Sequence, residues 1–187
     1  EYTINFPLYS TLTELYIGLA EGARVEAPTP YRDMPPIVYY GSSITQGGCA
    51  SRPGNAYQSI ISRRLNCDHI NLGFSGSAHG ELKMADYIGS LDMFAFVYDY
   101  DHNAPTLAHL QRTHLPLVRA VREAHPSIPI LLFGRPKALP NEEERARRAA
   151  AVADEMQQAY LADCVGRIYP VLFEQPRGGL FSGHAPN

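Results

Sequence analysis

This chain has no apolar run approaching the roughly 20 residues needed to span a bilayer, no Lys/Arg-rich block and no pair of cysteines spaced C-x-x-C. Each absence closes a class. Without the apolar run, no membrane-spanning helix is expected. With a formal net charge of -3 and scattered cations, no electrostatic footprint for nucleic acid is present. Cys49, Cys67 and Cys164 form an odd, scattered set that points to neither a zinc site nor a disulfide framework, and the compartment stays open. Internal repeats and low-complexity segments are also missing. The chain begins at Glu1 with no signal-like apolar region, and the expectation is a piece of something longer or a processed product.

What is present is an ordinary globular mixture. Apolar residues make up 45% and charged residues 19% of 187, enough for one sizeable domain with its own core. Residues 1–35 read differently from the rest. "YTINFPLYS" and "ELYIGLAEGARVEA" alternate loosely, and the Pro-rich "APTPYRDMPP" follows. One or two short strands and a connector are expected there, as the tail of an upstream β module. The main domain is expected over 36–187.

From residue 36 apolar runs and helical stretches take turns. The runs are "PIVYYG", "HINLGFS", "MFAFVYDYD", "IPILLFG" and "RIYPVLF". Between them, "AYQSIISRRLN" puts Tyr57, Ile60, Ile61 and Leu65 on one helical face, and "GELKMADYIGSL" is helical. The 106–124 stretch is a helix containing Pro116, and a long helix capped by Asn141 follows. Apolar runs alternating with helices predict an α/β fold, a five-stranded parallel sheet covered on both faces. In such sheets ligands bind beyond the carboxyl ends of the strands. The residues that matter are therefore those just after each run.

The first run ends on Ser42-Ser43. Two readings stand: one serine caps a following helix, or Ser43 is a nucleophile presented on the rim. The turn is not a G-x-S-x-G elbow, since Ser42 and Thr45 replace those glycines. After the second run, Gly76 can bring its N–H close to a ligand. After the third, the Asn103 amide can donate to a developing oxyanion, or fold into an Asx-turn before Pro105. Asp99, if buried, needs a partner, and His102 sits beside Asn103. Arg135 follows the fourth run, as a substrate contact or a surface residue. His184 lies beyond the fifth. Tyr98 and Tyr100 are expected to pack. A nucleotide-binding reading lacks its phosphate loop, because Gly47-Gly48 follow the serines too late for a G-x-G-x-x-G turn.

These blocks resemble those of the SGNH (GDSL-type) hydrolases. "YGSSITQG" resembles the first block, G-D-S-x-T; "NLGFSG" the second; "YDHNAP" the third, where G-x-N-D is usual; and "SGHAPN" the last, D-x-x-H-P-N. The resemblance covers about residues 36–187. It implies a three-layer α/β/α sandwich of flavodoxin-like type, and residues 1–30 resemble the end of a β-sandwich module found upstream in one branch. It also implies Ser43 as nucleophile and His184 as general base. The oxyanion hole would be the Ser43 and Gly76 N–H groups with the Asn103 side chain. No metal or cofactor is required.

Three departures from the family pattern bear on this. Ser42 and Ala104 stand where the first and third blocks have Asp, and neither position is catalytic. Phe181 stands where the family has the Asp that orients the histidine, three residues before it, and Ala185 is an extra residue before the Pro. A main-chain carbonyl, Ser182, Glu174 or Asp101 are the other groups that could hold the ring. The implied function is a serine esterase or acylhydrolase that removes a small acyl group, such as acetyl, from a carbohydrate-like or other polar ester. The alternatives are an acyltransferase on the same machinery and a glycan-binding relic, the latter favoured by Phe181. The expected partner is a small-molecule or carbohydrate ester, with no nucleic acid and no membrane.

Overall fold

Four of the apolar runs form the parallel strands β1 (Ile37–Gly41), β2 (His69–Gly73), β3 (Ala95–Asp99) and β4 (Ile130–Leu132). They lie in the order β2-β1-β3-β4. The computed structural model describes residues 2–134, Gln158 and Ala162, and the backbone of 172–177 and 180–184. β1 and β3 are central and buried at every residue, as expected of strands covered on both faces. Their register sets Gly41 beside Gly73 on one flank and beside Asp99 on the other. Three strand ends therefore finish level on one rim.

Alternate residues of the strands face opposite layers. Val38, Tyr40, Phe96 and Tyr98 pack with Ala85 and Ile88 of α3 (Leu82–Gly89) and with Leu110, Leu117 and Val121 of α4 (Leu107–Ala124). Ile37, Tyr39, Ala95 and Val97 pack on the other side with Cys67 and with Tyr57 and Ile61 of α2 (Tyr57–Leu65). The result is the expected three-layer arrangement. Tyr98 and Tyr100 do pack, as a stacked pair with centroids 5.2 Å apart, and both are fully buried. α4 is capped by Thr106, whose hydroxyl accepts from the His109 N–H (3.1 Å). It continues through Pro116 to Ala124. Among the described residues no helix is long and apolar enough to cross a membrane.

Three expectations differ in outcome. Four strands of the expected five-stranded parallel sheet are described, and residues 167–171 of the fifth run lie outside the described residues. The described part of the fifth run, Leu172 and Phe173, opens β5 (Leu172–Arg177), which pairs antiparallel with β6 (Leu180–His184). The Gly178-Gly179 pair between those segments is a hairpin signal. Second, residues 2–35 contain no strand. An extended segment becomes a strand only when another backbone pairs with it, and none of the described strands does so. Third, α2 buries Gln58, Ser59 and Ser62 while Leu65 is exposed. The helix expected from Asn141 lies outside the described residues, apart from the helical Gln158 and Ala162.

The rim is closed by a short helix, α1 (Ser43–Gln46), lying directly on the strand ends. A Cβ on Gly73 would collide with the backbone of Thr45 and Gln46, and one on Gly41 with Thr45 Oγ1 and the Asp99 carbonyl. Only glycine leaves room for α1 at this height. Gly73→Ala should therefore cost about 1–3 kcal/mol, the usual range for overpacking. A lowered urea midpoint would register this. An unchanged midpoint would mean that α1 moves freely.

Candidate active site

The two adjacent serines divide the work. Ser42 is fully buried and is the N-cap of α1, with its Oγ accepting from the Ile44 N–H (3.2 Å). Its own N–H donates to the Asp99 carbonyl (3.0 Å), which ties the end of β1 to the end of β3. Ser43 is the first residue of the helix and half-buried. Because Ser42 does the capping, the Ser43 hydroxyl is not needed for it. Among the described residues that hydroxyl has no hydrogen-bond partner, and the Ser43 N–H belongs to the first turn, whose donors lack partners within the helix.

Beneath the serine the structure is densely tied. The Thr45 carbonyl accepts from Gln58 Nε2 (2.5 Å) and Asn71 Nδ2 (2.9 Å). Thr45 Oγ1 donates to Asp99 Oδ2 (3.2 Å). Gln58 is thus buried because it serves a backbone carbonyl, and Ser62 likewise donates to the Cys67 carbonyl. These contacts explain why polar residues of α2 face inward: an unpaired buried carbonyl costs more than a buried amide that satisfies it. Gln46 links outward in two directions. Its Oε1 accepts from the Ser75 N–H (2.8 Å) and its Nε2 donates to the Leu8 carbonyl (3.1 Å).

Gly76 lies in the exposed turn after β2, at φ +67°, the left-handed region where glycine carries no Cβ penalty. A Cβ there would meet none of the described residues within 4 Å. The turn is closed by the Ser77 and Ala78 N–H groups, which both donate to the Phe74 carbonyl at 3.1 Å. Asn103 ends a 3-10 turn after β3 (Asp101–Asn103). Its side chain does not form a local Asx-turn. Nδ2 donates to the same Phe74 carbonyl, at 3.0 Å. One N–H of the amide is thereby fixed, and the second is left to point elsewhere. The structure thus joins the Gly76 turn to Asn103 through Phe74, and joins that turn to α1 through Gln46.

Asp99 is buried and accepts from Thr45. Desolvation, with the nearby Asp101 carboxylate as a second cause, raises its pKa to about 7. His102 Nε2 lies 4.0 Å from Asp99 Oδ1 and 3.9 Å from Asp101 Oδ1. Each of the three offers one ligand atom, all within 4.8 Å of one another, so among the described residues this is the group that could hold a cation.

Two predicted site residues cannot be placed. Arg135 lies outside the described residues. His184 is described only in its backbone, paired with Leu172 across the β5–β6 hairpin. Sequence reading missed Gln46, Gln58 and Asn71, which hold the serine turn. Asn71 had one signal, a polar residue inside an apolar run, whereas Gln58 lay off the apolar helical face that the spacing picks out.

Comparison with known proteins adds a family. The profile of the GDSL-like lipase/acylhydrolase family matches residues 34–175. Among solved structures, a candidate GDSL-like lipase from Bacteroides ovatus is similar at 29% identity and a TM-score of 0.65, covering 75% of this chain and 42% of its own. The salicylyl-acyltransferase SsfX3 of a tetracycline biosynthetic pathway is similar at 22% identity and TM-score 0.59, covering 75% and 43%. The SGNH-hydrolase family esterase AlinE4 is similar at 18% identity and TM-score 0.54, covering 72% and 81%. The chain thus spans less than half the length of the first two. The last two likenesses concern the fold. No curated protein matches the chain.

Proposed function

Since the chain belongs to the GDSL-like lipase/acylhydrolase family, we propose that it is a serine esterase whose nucleophile is Ser43. Ser43 Oγ attacks the ester carbonyl carbon and gives its proton to the His184 imidazole. The tetrahedral oxyanion is held by the Ser43 and Gly76 N–H groups and by the free N–H of Asn103. The intermediate collapses, the alcohol leaves with the proton from the imidazole, and the acyl group stays on Ser43. Water then releases the acid by the same steps. The substrate is a small O-acyl ester, such as an acetyl ester, of a carbohydrate-like or other polar alcohol, which Arg135 contacts.

The observation that supports this reading most is the division between the serines. Ser42 caps the helix, and the Ser43 hydroxyl has no hydrogen-bond partner among the described residues, in a turn tied through Gln46 to the Gly76 turn. Fluorophosphonate labelling tests it. The folded chain should be labelled on Ser43, and Ser43→Ala should not. A folded but unlabelled chain would favour the glycan-binding relic instead. Transfer to an alcohol in place of water uses the same site, and product analysis with added acceptor alcohols separates the two.

Asn103 carries a separate expectation. Asn103→Ala removes one oxyanion donor, and such a loss typically costs about 10²–10³ in kcat. The Phe74 carbonyl keeps its Ser77 and Ala78 donors, so the turn should survive. Steady-state kinetics should show the loss in kcat and little change in KM. A change confined to KM would assign Asn103 to substrate binding.

A further inference from the structure

The N-terminal segment crosses the serine turn. Leu8 sits where a Cβ on Gly47 would be, and its carbonyl accepts from Gln46 Nε2 (3.1 Å). One residue later, the Tyr9 hydroxyl donates to the Ser43 carbonyl (3.2 Å). Gly48 makes this approach possible, because a Cβ there would lie 2.9 Å from both the Tyr9 hydroxyl and the Ser43 oxygen. Tyr9 has no core to fill and remains 54% exposed. Its ring is therefore tethered by the hydroxyl to the very residue proposed to attack, with half its surface uncovered. Ile44, next to the serine, and Phe74, whose carbonyl holds Asn103, are also exposed, at 46% and 40%.

We infer that Tyr9 is a specificity-determining residue that stacks on a flat ring of the ester bound at Ser43. This rests on the site proposed above and adds a substrate class to it: esters carrying a ring with an apolar face. A tethered aromatic has already lost most of its rotamer freedom, so stacking costs it little more. Its face presents a π-cloud to C–H edges or to another ring. Two sources share that chemistry, an aryl group and the C–H face of a pyranose. An acyclic aliphatic ester gains nothing from Tyr9.

Binding to the Ser43→Ala chain tests this without depending on turnover. The probes are 2-naphthyl acetate, an O-acetylated methyl glucopyranoside and ethyl acetate. On that background Tyr9→Ala and Tyr9→Leu should weaken at least one ring ester about fivefold, Tyr9→Phe, which keeps the ring but loses its tether, should weaken it less than Tyr9→Ala does, and ethyl acetate should not change. Which ring ester responds identifies the source. The inference is overturned if neither ring ester weakens, if Tyr9→Leu binds as the parent does, or if ethyl acetate weakens equally. Hydrolysis that persists in Ser43→Ala would count against the nucleophile alone, since the binding comparison stands apart from it.

Discussion

Ser43→Ala should lower kcat/KM for p-nitrophenyl acetate by about 10⁴–10⁶-fold, the range seen when a serine nucleophile is removed. The structure makes this a clean substitution. Ser43 is half-buried, its hydroxyl has no partner among the described residues, and the cap and floor of α1 are supplied by Ser42, Gln58 and Asn71. Alanine is a good helix former, so the urea midpoint should stay where it is. A rate equal to that of the parent would dismiss Ser43 as nucleophile for this ester. A rate loss accompanied by a lowered midpoint would instead assign the effect to folding.

The second large effect is on stability and comes from Asp99. In the folded chain its pKa stands at about 7, against 3.8 for the free side chain, chiefly because burial disfavours the charge. Between these values the folded protein holds a proton that the unfolded chain has released. The contribution of this group is therefore fully present below about pH 3.8 and is lost as pH rises through about 7. Raising the carboxyl from 3.8 to about 7 corresponds to about 4 kcal/mol. Asp99→Asn keeps an oxygen for the Thr45 hydroxyl and removes the titration. The variant should match the parent near about pH 4 and exceed it by up to about 4 kcal/mol near about pH 9. Urea midpoints at the two pH values measure this. Parallel pH curves for parent and variant would mean that Asp99 stays charged in the fold.

Much of the fold was written locally. The four parallel strands follow from apolar runs bounded by Pro, Gly or Asn, and the helices between them from their spacing. Ser43, Gly76 and Asn103 stood out because each follows such a run, and the rule that ligands meet strand ends needs no register. What resisted reading depends on distance across the chain. Gln58 and Ser62 looked like an outward face because the carbonyls they serve, Thr45 and Cys67, belong to other segments. Gly73 lay unremarked inside the second run, and its purpose is the passage of α1 overhead. Residues 2–35 alternated as a strand would, yet the sequence could not say that Leu8 and Tyr9 reach the serine turn.

The Phe74 carbonyl collects three donors, from Ser77, Ala78 and the Asn103 side chain. One oxygen thus acts as a pivot shared by two loops. Rotating that peptide would swing the Gly76 amide and the Asn103 amide away together. These two groups are therefore a coupled pair whose contributions do not sum, and a single flipped peptide plane would silence both while leaving every strand in place.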